Sequence, residues 1–228
     1  MKMNSVSYSA FIMVFFAVTV NAVTMSSLSA QPPARMKPNG LPAERSRKSR
    51  FHEHIAAATR HLKSGDLERA EKSLVAAEKA ATRNEAVMVA VLRSDLLSQQ
   101  GEFGAAIEVL RRILKEVPRR GPDDLLGATN QLAWLLAVSP TEDLRNGREA
   151  KELATAAYAK YKRYEILDTL AAAHADCGEF DLAIKYQERV VKAARKKDKR
   201  LEEYQKRLKL YQSGRPFRMP EKTLRDLF

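Results

Sequence analysis

The stretch Leu170-Ala-Ala-Ala-His-Ala-Asp-Cys-Gly-Glu-Phe-Asp-Leu-Ala-Ile184, running on through Tyr186 to Val190, decides the fold. Two apolar-periodic helical runs flank the Gly178-Glu179-Phe180-Asp181 turn, and small residues stand at Ala171 and Ala183, where two helices must approach closely. The same signature recurs upstream. Gly65-Asp66-Leu67 and Gly101-Glu102-Phe103 repeat the glycine–acid–apolar order. Each glycine has a small residue seven positions before it (Ala58, Ser94, Ala171) and an alanine five positions after it (Ala70, Ala106, Ala183). The gap between Gly101 and Gly178 holds one further unit. Its first helix runs from Ala128 past Trp134 to Val138, its second starts near Arg148, and its turn through residues 141–147 is about five residues longer than the others.

Composition agrees with helix. Ala, Leu, Glu, Lys and Arg dominate, while the 9 glycines and 9 prolines fall mostly at breaks, and no strand-like alternation is long enough to count. The expected class is all-α. With a single cysteine, Cys177, a disulfide framework and a Cys-rich zinc site are both excluded. The formal charge of +12 lies on the flanks. Residues 31–50 sum to +5 and residues 185–228 to +9, whereas the repeat body at 51–184 sums to −3. A near-neutral body argues against a nucleic-acid platform.

Residues 1–30 read as an export signal. Lys2 precedes an apolar core of about 11 residues, too short for the roughly 20 a bilayer span needs. Cleavage sites of small residues follow, after Ala22 or after Ala30. An uncleaved anchor through residues 10–30 is the alternative, and either way the body lies outside the cytoplasm. Residues 31–50, rich in proline and basic side chains, read as a flexible linker. Residues 198–213 carry a stripe of Leu201, Tyr204, Leu208 and Tyr211, expected to cap the last unit, and residues 214–228 form a tail.

These positions, with Leu132, Leu170, Phe103, Phe180 and Pro118, resemble the tetratricopeptide repeat family over residues 51–196, in units of about 51–83, 87–118, 126–162 and 164–196. The first unit carries the fewest aromatic anchors. Three departures stand out: Trp134 follows the small residue instead of preceding it, Arg93 replaces a leucine, and His174 takes a tyrosine slot. The long turn and the ending Tyr211-Gln-Ser-Gly-Arg-Pro-Phe-Arg218 resemble those of exported bacterial repeat proteins. The resemblance implies a right-handed α-solenoid of about four helix-turn-helix units, non-catalytic, whose concave groove binds a protein or peptide partner. Transferring the groove positions gives His52, Ile55, Ala56 and Thr59; Met88, Val91, Leu92 and Asp95; Gly127, Asn130, Gln131 and Trp134; and Glu165, Asp168, Thr169 and Ala172. Candidate partner-binding residues are therefore Asn130, Trp134, Met88, Asp95, Glu165 and Asp168. Trp134 beside Asn130 would make a hot spot for an extended peptide, unless it fills the seam against the next unit.

No chemistry stands out. His52 and His54 point about 200° apart on a helix and cannot share one ion. His174 and Cys177 have no further ligands at metal spacing, and no phosphate loop or nucleophile elbow occurs. No catalytic residue, cofactor, metal, nucleic acid or small-molecule substrate is expected. Asp168, Asp176 and His174 are the one group an enzyme would have to use. The basic run at 195–200 reads as a solvated face, with contact to an anionic membrane surface as its alternative.

Overall fold

A computed structural model describes residues 42–117, 125–194 and 198–221. The signal and its cleavage sites, the linker before residue 42, Pro118, the basic residues 195–197 and the end of the tail lie outside the described residues. The described chain is an all-α repeat solenoid. Four hairpins follow one another: α1 (Pro42–Ser64) with α2 (Leu67–Ala80), α3 (Ala86–Gln100) with α4 (Phe103–Glu116), α5 (Leu126–Val138) with α6 (Gly147–Tyr161), and α7 (Tyr164–Asp176) with α8 (Phe180–Ala193). A final helix, α9 (Leu201–Gln212), packs on α8. The first helix of each pair also touches the first helix of the next, so α1, α3, α5 and α7 line one side in order.

Three turns are built alike. Gly65, Gly101 and Gly178 take φ of +75°, +88° and +75°. The amide of the next residue then donates to a carbonyl in the last helical turn: Asp66 to His61 at 3.0 Å, Glu102 to Leu97 at 2.8 Å and Glu179 to His174 at 2.9 Å. Only glycine enters the left-handed region without strain, and the bond satisfies a carbonyl the helix leaves open. The small residues Ala58, Ser94, Ala171, Ala70, Ala106 and Ala183 are all fully buried where paired helices meet.

The third turn is longer. A short 3-10 turn at Glu142–Leu144 precedes α6, whose cap Asn146 accepts from the Glu149 amide at 3.1 Å. Here a glycine serves close approach instead of backbone curvature. A Cβ on Gly147 would stand 2.5 Å from Asp176 Oδ2 and 2.9 Å from Cys177 Sγ, so the start of α6 abuts the end of α7.

The core lies between units. One cluster joins the first pair to Val89, Leu92 and Leu96 of α3, and a second runs from Leu110 and Phe103 through Leu135 and Trp134 to Ala173. Each hairpin thus covers its apolar face with its neighbour, as a quasi-linear stack requires.

Two sequence expectations change. The helix begins at Pro42, inside the expected linker, and Arg47 binds Glu85 Oε2 at 2.8 Å. Proline is favoured in the first turn of a helix, where its missing N–H costs nothing, and the charged residues that follow are adequate helix formers. In α9 the buried positions are Tyr204, Arg207 and Tyr211, while Leu208 is only partly covered. The two substituted family positions find new partners. Arg93 bridges Glu71 and Glu78 on α2, and His174 Nδ1 shares a hydrogen bond with Glu179 while its ring lies 5.3 Å from that of Tyr186.

Candidate functional site

The face lined by α1, α3, α5 and α7 divides into two halves. In the half built by α5 and α7, Trp134 is 3% exposed. Its ring stands 5.9 Å from Phe217 and 5.3 Å from the Arg207 guanidinium. Arg207 reaches in from α9 and grips Asp168 with two bonds, Nε to Oδ1 at 3.0 Å and Nη2 to Oδ2 at 2.8 Å. Gln187 Nε2 donates to the same Oδ1 at 2.9 Å. A buried carboxylate is tolerated only with such paired, multiply bonded partners.

The chain beyond α9 completes this half. Gly214, at φ +68°, turns the backbone, and residues 215–221 run without regular structure past the ends of α5 and α7. The Met219 amide donates to the Val138 carbonyl at 2.8 Å, and Met219 is 6% exposed. Arg218 Nη1 donates to the Ala137 carbonyl at 3.0 Å and Nη2 to Asp176 Oδ1 at 2.6 Å. The last carbonyls of α5 lack partners within the helix, so a cation and an amide are well placed there.

The other half has no such filling among the described residues. His52 and Ala56 of α1 are exposed, and Ile55, Thr59 and Met88 are partly covered. Lys48, Ser49, His52, Glu53 and Ala56 bound a shallow depression of about 480 Å³. The His52 ring nitrogen meets the Lys48 carbonyl at 2.7 Å. A second concavity, where α2, α3 and α4 meet, holds Arg83, Arg93 and Arg112 over an apolar floor. Arg93 there is already held by Glu78, and Arg83 by the Glu116 carbonyl.

Four of the six candidate contact residues are therefore interior. Trp134 and Asp168 are covered by α9 and the returning chain, which the repeat pattern does not encode. Asn130 is fully buried. Asp95 is 4% exposed and accepts from Gln131 Nε2 at 2.7 Å. Its second oxygen has no hydrogen-bond partner, and burial pushes the Asp95 carboxyl well above the ordinary carboxylate range. Glu165 stays partly exposed between Arg163 and Arg200, each at 3.6 Å. Met88 alone keeps an accessible flank in the unfilled half. Asp168, Asp176 and His174 do not converge: each is engaged by its own partner, Arg207, Arg218 and Glu179. Among the described residues no group of three or more His, Cys, Asp or Glu side chains has metal-site geometry.

Sequence reasoning missed Arg207 and residues 217–219. The signal for Arg207 was present, since it lies three residues after Tyr204 and four before Tyr211, on the same helical face. For Phe217 and Met219, two apolar side chains between prolines offered only a hint.

Fold and face together define a helical-repeat scaffold, a stack of hairpins with one continuous lined side. Residues 164–197, which contain α7 and α8, match the tetratricopeptide repeat family model. No curated protein and no solved structure matches the chain. Tetratricopeptide repeats are generally protein–protein interaction modules.

Proposed function

We propose that the protein is a non-catalytic scaffold that docks a polypeptide partner on the face of its first two units and works outside the cytoplasm. The carrying observation is the contrast in cover: α5 and α7 are roofed by α9 and residues 215–219, while His52 and Ala56 on α1 stand exposed and Met88 on α3 is only partly covered. Exposed positions on a rigid helical stack hold a shape that a partner can match at little ordering cost. The partly covered apolar side chains Ile55 and Met88, with the depression bounded by Lys48, Ser49, His52, Glu53 and Ala56, supply the apolar and polar surface that a docking face combines. The export signal read in residues 1–30 sets the compartment.

A photo-crosslinking residue at position 56, introduced into the full chain in its own cells, should capture a defined protein, and Met88→Glu should abolish that capture. Capture that is indifferent to Met88→Glu, or that arises only from position 172 on α7, would refute the assignment. Sequencing the mature N-terminus of the fractionated protein tests the compartment. A soluble chain beginning at Val23 or Gln31 is the expected result. An intact N-terminus in the membrane fraction would replace it with a tethered module whose basic flanks meet anionic lipid.

A further inference from the structure

We infer that residues 215–219 are a built-in peptide ligand of the third and fourth units, and that an extended segment of a partner protein carrying an aromatic residue followed by arginine takes their place. This extends the docking function to a second face and rests on that function. The observations are of three kinds. The segment lies as a bound peptide lies: without regular structure of its own, with a main-chain bond from Met219 to Val138, an aromatic side chain against Trp134, and an arginine anchored on Asp176. Its hold is local, because Met219 alone is buried, whereas Arg215 is exposed and Pro216, Phe217 and Arg218 are only partly covered. The residues it covers also have other partners. Asp168 keeps Arg207 and Gln187, Asp176 keeps Arg145 at 3.6 Å, and Trp134 keeps the Arg207 guanidinium.

The cap touches the segment, with Phe217 against the Tyr211 cluster and 5.5 Å from the Arg207 guanidinium, but it has contacts of its own. Tyr204 joins a cluster with Leu167, Leu170 and Val190, and α9 packs on α8 directly. Gly214 between α9 and the segment supplies the pivot. Opening is then a sub-global event, confined to a stretch with few bonds to the rest. Because the segment is covalently attached, it competes at an effective concentration of order millimolar, so a partner peptide binds the intact chain weakly until the attached copy is loosened.

The test uses a fluorescent synthetic peptide of residues 214–221, Gly-Arg-Pro-Phe-Arg-Met-Pro-Glu, with the full chain and its Phe217→Ala/Arg218→Ala variant. Fluorescence anisotropy should show binding at least 10-fold tighter to the variant, the ratio that loss of a millimolar competitor gives when the peptide itself binds with a Kd below about 0.1 mM. Replacing either the phenylalanine or the arginine of the peptide by alanine should abolish binding. A variant that keeps the wild-type helical signal yet binds no peptide overturns the inference. Hydrogen exchange on the wild-type chain decides the matter independently if the variant does not fold. The Met219 amide should exchange far faster than the α5 and α7 amides, and faster still with excess peptide. A Met219 amide as slow as α5 would make the segment a fixed part of the core. Dimers that form by trading tails, with no peptide bound, would overturn the inference by assigning the face to a second copy. Failure here with capture intact at position 56 removes this inference and leaves the docking function standing.

Discussion

The first two units and the last two are built from the same hairpin, yet they bury their charges differently. Arg93 in the first half lies between Glu71 and Glu78, both of which keep more than two fifths of their side chains in solvent. Arg207 in the second half is 4% exposed, and its partner Asp168 is 1% exposed. The repeat pattern explains how helices pair within and between units. What roofs the stack comes from outside the pattern, from α9 and the chain after Gly214. Where that roof sits, Trp134 and Asp168 become core; in the first half, among the described residues, His52 and Ala56 stay exposed, while Val91, Leu92 and Asp95 are buried within the stack itself.

The sharpest way to break the contrast is to empty each half in turn. Trp134→Ala should cost about 3–5 kcal/mol, because an interior indole is removed and leaves a cavity. Met88→Ala on the unfilled side should cost less than about 1 kcal/mol, since its flank is already wet. Urea unfolding of both variants compares them, and equal losses would mean that the two faces are equally buried. The two arginines give the next pair. Arg207→Ala strands Asp168 as an uncompensated buried charge, at about 3–5 kcal/mol, whereas Arg93→Ala should stay near ~1 kcal/mol because its glutamates remain hydrated. Thermal melts would rank them.

Smaller effects sharpen the contrast at its border. Gly147→Ala drives a methyl group against Asp176 and Cys177 and should destabilise by about 2 kcal/mol, whereas Gly104→Ala, whose added methyl would sit 3.8 Å from Leu144, should be close to neutral. Asp95→Asn has a pH signature. The folded carboxyl titrates above the unfolded value of about 3.9, so the wild-type chain loses stability as pH rises from there toward the folded value. The replacing amide keeps the shape of the carboxyl and does not ionise. The variant should match wild type at low pH and exceed it by about 1–2 kcal/mol near neutrality. A gap that widens on acidification would contradict the sign.

Much of this architecture was legible beforehand. Gly65, Gly101 and Gly178 mark the turns because left-handed backbone admits little else, and the small residues at fixed distances from them mark the helix crossings. Position within the unit also says which residues face the lined side. It does not say whether that side is open. Trp134 was consistent with a groove or with a seam, and only the tertiary path of residues 215–219 decides it. Asp168 carried the same ambiguity, since its partner Arg207 lies 39 residues on and in no repeat position. The early start of α1 was obscured by the prolines and basic residues around it. Pro42 nonetheless opens a helix well, and the Arg47–Glu85 pair ties that helix to the start of α3.

Tryptophan fluorescence tests the two-halved face most directly, because the chain has a single tryptophan. Iodide quenching is measured on the wild-type protein and on Trp134→Phe/Ala56→Trp, which moves the probe to α1. The contrast in cover predicts blue-shifted, iodide-resistant emission from position 134 and red-shifted, readily quenched emission from position 56. Ready quenching at 134, or protection at 56 equal to that at 134, would contradict it.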